Sequence, residues 1–171
     1  RLPGVLRVVP LGRHGGSTRG YAVVGRTTWH AQQGARALEV DWQPPPNELL
    51  SSAKILESLE ATAQRAVRGE AGFAFRDRGN VEGVGDGREV QASYRAPYLA
   101  HAAMEPINCT ARVAGGRVEV WAPTQVPGFA RAIAAQVAGV DEAAVTLNVT
   151  YLGGGFGRRL EVDFVGQAVR V

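Results

Sequence analysis

The stretch Tyr151-Leu-Gly-Gly-Gly-Phe-Gly-Arg-Arg159 constrains this chain more than any other. A β-branched run, Val145-Thr-Leu-Asn-Val-Thr150, leads into it and an apolar run from Leu160 leads out, so the pattern predicts strand, glycine loop, helix start. Gly153, Gly154 and Gly155 remove every Cβ over a tight turn, which lets a large rigid ligand reach bare backbone. The amide N–H groups of such a loop, next to a helix N-terminus, suit anionic or oxo groups. Phe156 stands where a turn ordinarily carries a small or polar residue. Its ring either fills a core gap or walls a substrate pocket. Both common phosphate loops are disfavoured. A Walker loop ends Gly-Lys-Ser/Thr, whereas Gly157 precedes Arg158 and Arg159, and the dinucleotide pattern G-x-G-x-x-G counted from Gly153 ends on Arg158. From the glycines alone, a plain structural turn is an equal alternative.

Composition narrows the field. The chain has 171 residues, enough for one good core or two small domains. No apolar run approaches the length of a membrane span. Cys109 is the single cysteine, which excludes an internal disulfide and a cysteine-built metal site. The formal charge of +3 is carried almost wholly by arginine, Lys54 being the only lysine. The arginines are scattered, so no nucleic-acid surface is signalled; Phe73 and Phe75 beside Arg76 and Arg78 are the only weak candidates. Two glycosylation patterns, Asn108-Cys-Thr110 and Asn148-Val-Thr150, fall in predicted strands and are discounted. Arg1 is no initiator, and Val162, Val165 and Val169 keep helical spacing with no stop signal after them, so the chain reads as a piece of a longer polypeptide.

In chain order, Val5–Val9 and Tyr21–Val24 read as strands, and Thr27 or Thr28 caps a short helix. Glu39-Val-Asp-Trp42 alternates like a half-buried strand. Gln43-Pro-Pro-Pro-Asn47 forms a linker, because its prolines lack N–H donors. Ser51 or Ser52 caps a helix with Ile55, Leu56, Leu59, Ala63 and Ala66 on one stripe, ended by Gly69. Arg76 to Arg88 reads as an irregular connection. Glu89–Tyr94 alternates like a strand, and Tyr98–Pro106 reads as a loop. Ile107–Val113 and Arg117–Trp121 form a hairpin around Gly115-Gly116, Pro127 starts a helix stopped by Gly139, and Asp141 begins a short turn. The expected domains are residues 1–43, a linker with one helix at 44–88, and 89–171. The histidines His14 and His30 lack partners at ligand spacing and read as solvent or packing residues rather than ligands.

Three separated segments add specificity. Tyr94-Arg-Ala-Pro-Tyr-Leu-Ala-His-Ala-Ala-Met-Glu-Pro106, Trp121-Ala-Pro-Thr-Gln125 and Gly153-Gly-Gly-Phe-Gly157 occur in one order. Together they resemble the molybdenum-cofactor-binding subunit of the xanthine dehydrogenase/aldehyde oxidase family. The tail Phe156-Gly-Arg-Arg-Leu-Glu-Val-Asp-Phe164 is similar to the isoquinoline 1-oxidoreductase branch, in its large (beta) subunit. The resemblance is strong from about Ser93 onward and weaker before it. It implies an α+β fold: the later part of a small hammerhead-like α/β unit, then the first part of a molybdopterin-binding domain.

The resemblance also implies roles. Gln125 would lie beside the molybdenum, where a neutral amide can hydrogen-bond an oxo or hydroxo ligand, although a helix-capping role is the plain alternative. Gly153, Gly154, Gly155, Phe156 and Gly157 would face the cofactor, with Phe156 lining the substrate side. Arg158, with Arg159, either reaches a phosphate or solvates the helix start. His101 and Glu105 would support the wall from behind, with no protein ligand to the metal. In the purine-oxidising branch an acid stands where this chain has Leu160, which puts a purine in doubt and leaves an aromatic N-heterocycle or aldehyde. The implied cofactor is a molybdopterin-type molybdenum cofactor. By the resemblance, hydride would go to a Mo=S group, and electrons would leave through [2Fe-2S] clusters on an iron–sulfur small subunit. The general base would come from the rest of the large subunit, so the piece alone is expected to hold no cofactor, to be inactive and to self-associate through apolar surface around its last helix. A non-catalytic assembly module that keeps the loop as a turn is the alternative. The compartment is left open.

Overall fold

The computed structural model describes residues 2–43, 51–80, 85, 87–88 and 90–171. The fold is α+β. Its residues group into two compact units, one of Arg1–Asp41 with His101–Val171 and one of Trp42–Ala100. The proline linker expected at residues 43–47 lies, from residue 44 on, outside the described residues.

In the first unit, β1 (Val5–Leu11) and β2 (Gly20–Gly25) pair antiparallel as a two-stranded sheet. Helix α1 (Thr28–Arg36) follows, with the Thr27 side chain accepting from the His30 N–H. Gly34 lets the helix lie on the hairpin, since a Cβ there would stand 2.7 Å from Val23 Cγ1. The alternation expected to make a strand of Glu39–Trp42 does not: these residues have no regular structure and pair with no strand.

The second sheet of this unit positions the glycine loop. Its order is β3 (Thr110–Ala114), β4 (Arg117–Ala122), β5 (Val145–Val149). The β3–β4 hairpin turns at Gly115 and Gly116, both at positive φ, as a two-residue connection demands. Its first strand is shorter than the periodicity predicts and begins at Thr110. Strand β4 alternates strictly, burying Val118, Val120 and Ala122. It then crosses over through α3 (Pro127–Ala138) to return as β5, parallel to β4. Pro127 occupies the first turn of α3, and Gly139 ends it in the left-handed conformation. A single 3-10 turn, Glu142–Ala144, is capped by the Asp141 side chain.

After the loop, the chain makes a 3-10 turn at Arg158–Leu160 before α4 (Asp163–Arg170). The helix expected directly after the glycines is therefore delayed. Its apolar face is not left bare: Phe164, Val165 and Val169 join Val162, β4 and α3 in the core. This corrects the physical ground for self-association at the last helix. Exposed apolar side chains lie instead on and around the loop, at Tyr151 and Phe156. The β1–β2 turn docks on the same helix: a Cβ on Gly166 would stand 2.7 Å from His14 Cβ, and Arg7 donates to the Val171 carbonyl.

The second unit holds α2 (Ser52–Val67), capped by Ser51 as the sequence predicts, and Gly69 follows at positive φ. None of its residues is buried. Arg95 pairs with Glu60 at 2.6 Å. The strand expected at Glu89–Tyr94 is absent over its described residues, 90–94. A period of two distinguishes two faces but forms a strand only with a ladder partner, and Val90 and Tyr94 are both exposed. Among the described residues no helix is long and apolar enough to cross a membrane.

The core of the first unit relies on small residues: Ala130 and Ala134 are fully buried. Ala134→Leu should therefore overpack α3 and cost about 1–3 kcal/mol, read as a lower urea midpoint at unchanged slope. A midpoint unchanged from the parent would show slack in this layer that the packing does not predict.

Candidate functional site

Because β4 and β5 are parallel neighbours, their carboxyl ends lie side by side. Gln125 follows the first and the glycine loop follows the second. Thr150 N–H still donates to the Ala122 carbonyl at 3.3 Å, after which the ladder ends. The loop then leaves extended geometry: Gly154, Phe156 and Gly157 have φ of +103°, +52° and +95°. For Phe156, a non-glycine residue, this backbone costs on the order of 1–3 kcal/mol. Its ring is 73% exposed, so it fills no core gap.

Two side chains staple the ends of the loop. Glu105 Oε2 accepts from Gly153 N–H at 2.7 Å, and Glu105 N–H donates back to the Gly153 carbonyl at 3.1 Å. Gln125 Oε1 accepts from Gly157 N–H at 3.3 Å. The capping alternative for Gln125 is not what the structure shows, since Thr124 Oγ1 takes the Val126 N–H at the start of α3. These staples also explain two of the glycines. A Cβ on Gly153 would stand 2.5 Å from Glu105 Cβ, and one on Gly155 would stand 2.5 Å from Gln125 Oε1. Bare backbone at these points serves the chain's own close packing. Between the staples, the N–H groups of Gly154, Gly155 and Phe156 have no partner among the described residues. The amide nitrogen of Gln125 has none either.

Arg159 lies beneath this arch and is 1% exposed. It pairs with Glu105 Oε2 at 2.8 Å and donates to the carbonyls of Pro123 at 3.3 Å and Glu105 at 3.2 Å. Its own carbonyl accepts from Gln125 N–H at 3.0 Å and Thr124 Oγ1 at 3.3 Å. Solvation of a helix start is thus not its role. Arg158 instead makes a bidentate pair with Asp163, at 2.9 and 2.8 Å. The hydrogen bond from Gly153, then that from Asn108, then the Arg159 charge hold the Glu105 carboxyl below its ordinary value. Burial pushes the Cys109 thiol up to about 11, which keeps it protonated at neutral pH.

The structure therefore brings Gln125, Gly153–Gly157 and Glu105 together. His101 joins them, its ring 3.7 Å from where a Cβ on Gly157 would stand. His101 and Glu105 do not form a helical pair: the segment has no helix, and Glu105 bonds to Arg159, Gly153 and Asn108. Arg158 is turned to its own helix start. Sequence reasoning missed Pro123 and Thr124, whose contacts run through main-chain carbonyls, and Asp163, whose pairing needed the 3-10 turn to be known.

Residues 65–169, more than half of the chain, match the molybdopterin cofactor-binding domain family. This chain belongs to that family. It is 27% identical over its whole length to the isoquinoline 1-oxidoreductase subunit beta of Brevundimonas diminuta, covering 22% of that protein. Over 96% of the chain it is 26% identical to the membrane-bound aldehyde dehydrogenase [pyrroloquinoline-quinone] of Gluconacetobacter polyoxogenes, covering 21% of it. Over 82% it is 26% identical to the xanthine dehydrogenase molybdenum-binding subunit of Escherichia coli O157:H7, covering 19%. The chain thus spans about a fifth of the length of these relatives. The residues present fit a molybdopterin group: unpartnered backbone donors and a neutral amide donor meet at one loop, which suits an anionic, oxygen-rich ligand.

The contact between Gly155 and Gln125 makes a paired test. Gly155→Ala should be destabilising in the parent but much less so in Gln125→Ala, where the obstructing amide is gone. The expected coupling in a double-mutant cycle is about 0.5–3 kcal/mol. Strict additivity would mean that the two residues do not touch as described.

Proposed function

We propose that this chain forms the glycine-loop part of the large subunit of a molybdenum-dependent oxidoreductase that hydroxylates an aromatic N-heterocycle or an aldehyde. One observation carries the reading: segments far apart in sequence meet at a loop whose middle N–H groups have no partner among the described residues, in a chain of the molybdopterin-binding family. The cofactor, when bound, supplies a two-electron oxidation that turns a substrate C–H into C–OH with oxygen from water.

On the protein side, the N–H groups of Gly154, Gly155 and Phe156 hold and orient the cofactor. The Gln125 amide nitrogen would donate to an oxygen of the bound cofactor, its own oxygen being occupied by Gly157. The exposed Phe156 ring walls the substrate side. Arg158, whose charge is balanced by Asp163, fixes the loop exit against the start of α4. Glu105 and His101 support the wall from behind. The general base, the [2Fe-2S] clusters and the electron route belong to the rest of the large subunit and to an iron–sulfur small subunit. Residues 1–43 form the later part of a hammerhead-like unit, with 44–88 as connection and 89–171 as the first part of the cofactor domain. Leu160 is 52% exposed, which leaves no carboxylate at that position for a purine and favours a less polar ring or an aldehyde.

The 171-residue chain alone holds too little of the site. A few hydrogen bonds net about 0.5–1.5 kcal/mol each. Association costs roughly 4–15 kcal/mol. Elemental analysis of the protein purified at full gene length should therefore give near-stoichiometric molybdenum, and of the isolated chain essentially none. Turnover of isoquinoline or benzaldehyde, and not of xanthine, should accompany the metal. A full-length protein without molybdenum would overturn the reading in favour of a non-catalytic module.

A further inference from the structure

The Glu105 carboxylate accepts hydrogen bonds from Gly153 N–H at 2.7 Å and Asn108 Nδ2 at 2.8 Å, and forms an ion pair with Arg159 Nη2 at 2.8 Å. Arg159 in turn touches segments 36 and 54 residues away along the chain. It does so from a buried position, where loss of its partner leaves an uncompensated charge. A run of three glycines has more backbone freedom to lose than any other sequence, so the loop needs such fixing from outside itself.

We propose that the Glu105–Arg159 pair is a positioning clasp that holds the glycine loop in its open arch, fixing the entry at Gly153 and, through the Arg159 carbonyl and Gln125, the exit at Gly157. The purpose of the arch rests on the cofactor reading above, but the coupling of loop order to the pair rests on the contacts alone. The position of Glu105 separates this role from general stabilisation. Its carboxylate is partly exposed, and the group it orders is loop backbone rather than core. Other charges nearby are engaged elsewhere: Arg158 with Asp163 and, at 4.0 Å, with Glu161. His101 lies at Gly157 and makes no hydrogen bond to the carboxylate among the described residues.

The clasp carries a pH signature. Because the folded-state carboxyl is held below its ordinary value of 4.5, its contribution is complete above the unfolded value and is lost as pH falls through the folded one. Acid should therefore loosen the loop before the sheet.

The test is hydrogen exchange by mass spectrometry on the full-length protein from cells unable to make molybdopterin, so that no cofactor protects the loop. Glu105→Gln should speed exchange of the hydrogen-bonded amides of Gly153 and Gly157, read in peptides covering 151–158, at least about tenfold, while β4 and α3 keep the parent's protection. After correction for intrinsic rates, the parent's loop should open as pH falls below 4.5, and Glu105→Gln should show no such step. Arg159→Lys, which keeps the charge but loses the fork, should give a partial effect. Val169→Ala serves as the control that lowers stability without touching the loop. Unchanged loop exchange in Glu105→Gln, or acceleration spread equally over loop, strand and helix, would overturn the proposal. A responsive loop in a protein that never takes up molybdenum would instead overturn the cofactor reading and leave the clasp standing.

Discussion

Almost everything that shapes this site passes through one buried guanidinium. Among the described residues Arg159 is the largest fully enclosed side chain, and enclosing a cation is unfavourable unless it is paired and its donors are satisfied. Glu105 supplies the charge, and the carbonyls of Pro123 and Glu105 supply acceptors. Only Nε is left without a partner. Meeting those requirements draws the Glu105 segment, the end of β4 and the exit of the glycine loop to one point. The loop's shape follows from that convergence more than from its own sequence.

The sheet explains why the convergence happens here. Two parallel neighbours joined by a crossover helix end at the same edge, and the space beyond the carboxyl ends of parallel strands is where such folds commonly take ligands. Val118, Val120 and Ala122 hold β4 against the α3–α4 layer, so the strand ends are anchored before the loop begins. Loop residues then carry chemistry on a rigid support. Phe156 keeps a left-handed backbone and an exposed ring, a combination that costs stability and contributes nothing to the core.

Much of this was legible in the sequence, for identifiable reasons. The cap at Ser51, the turn at Gly115-Gly116, Pro127 at the start of α3 and Gly139 at its end are local rules, satisfied by residues a few positions apart. The strand into the glycine loop followed from its β-branched run, whereas the nearness of Gln125 to the loop was implied by the family resemblance and not by local pattern. Alternation alone was a poorer guide: Glu39–Trp42 and residues 90–94 alternate yet find no neighbouring strand. Most hidden was the role of Arg159. Its partner stands 54 residues earlier, in a segment without regular structure, and nothing in the local sequence separates it from Arg158, which pairs with a residue only five positions on. The reason for Gly153 and Gly155 was equally hidden, because the atoms that exclude a Cβ there belong to Glu105 and Gln125.

The central claim is that the arch between the two staples faces the cofactor. Anomalous scattering at the molybdenum edge, from crystals of the full-length protein, tests it most directly. The account predicts a molybdenum peak beside the Gln125 amide, with the cofactor's oxygens within hydrogen-bond distance of at least one of the Gly154, Gly155 and Phe156 N–H groups. A molybdenum peak remote from this loop, with the arch intact and those N–H groups facing solvent, would contradict it.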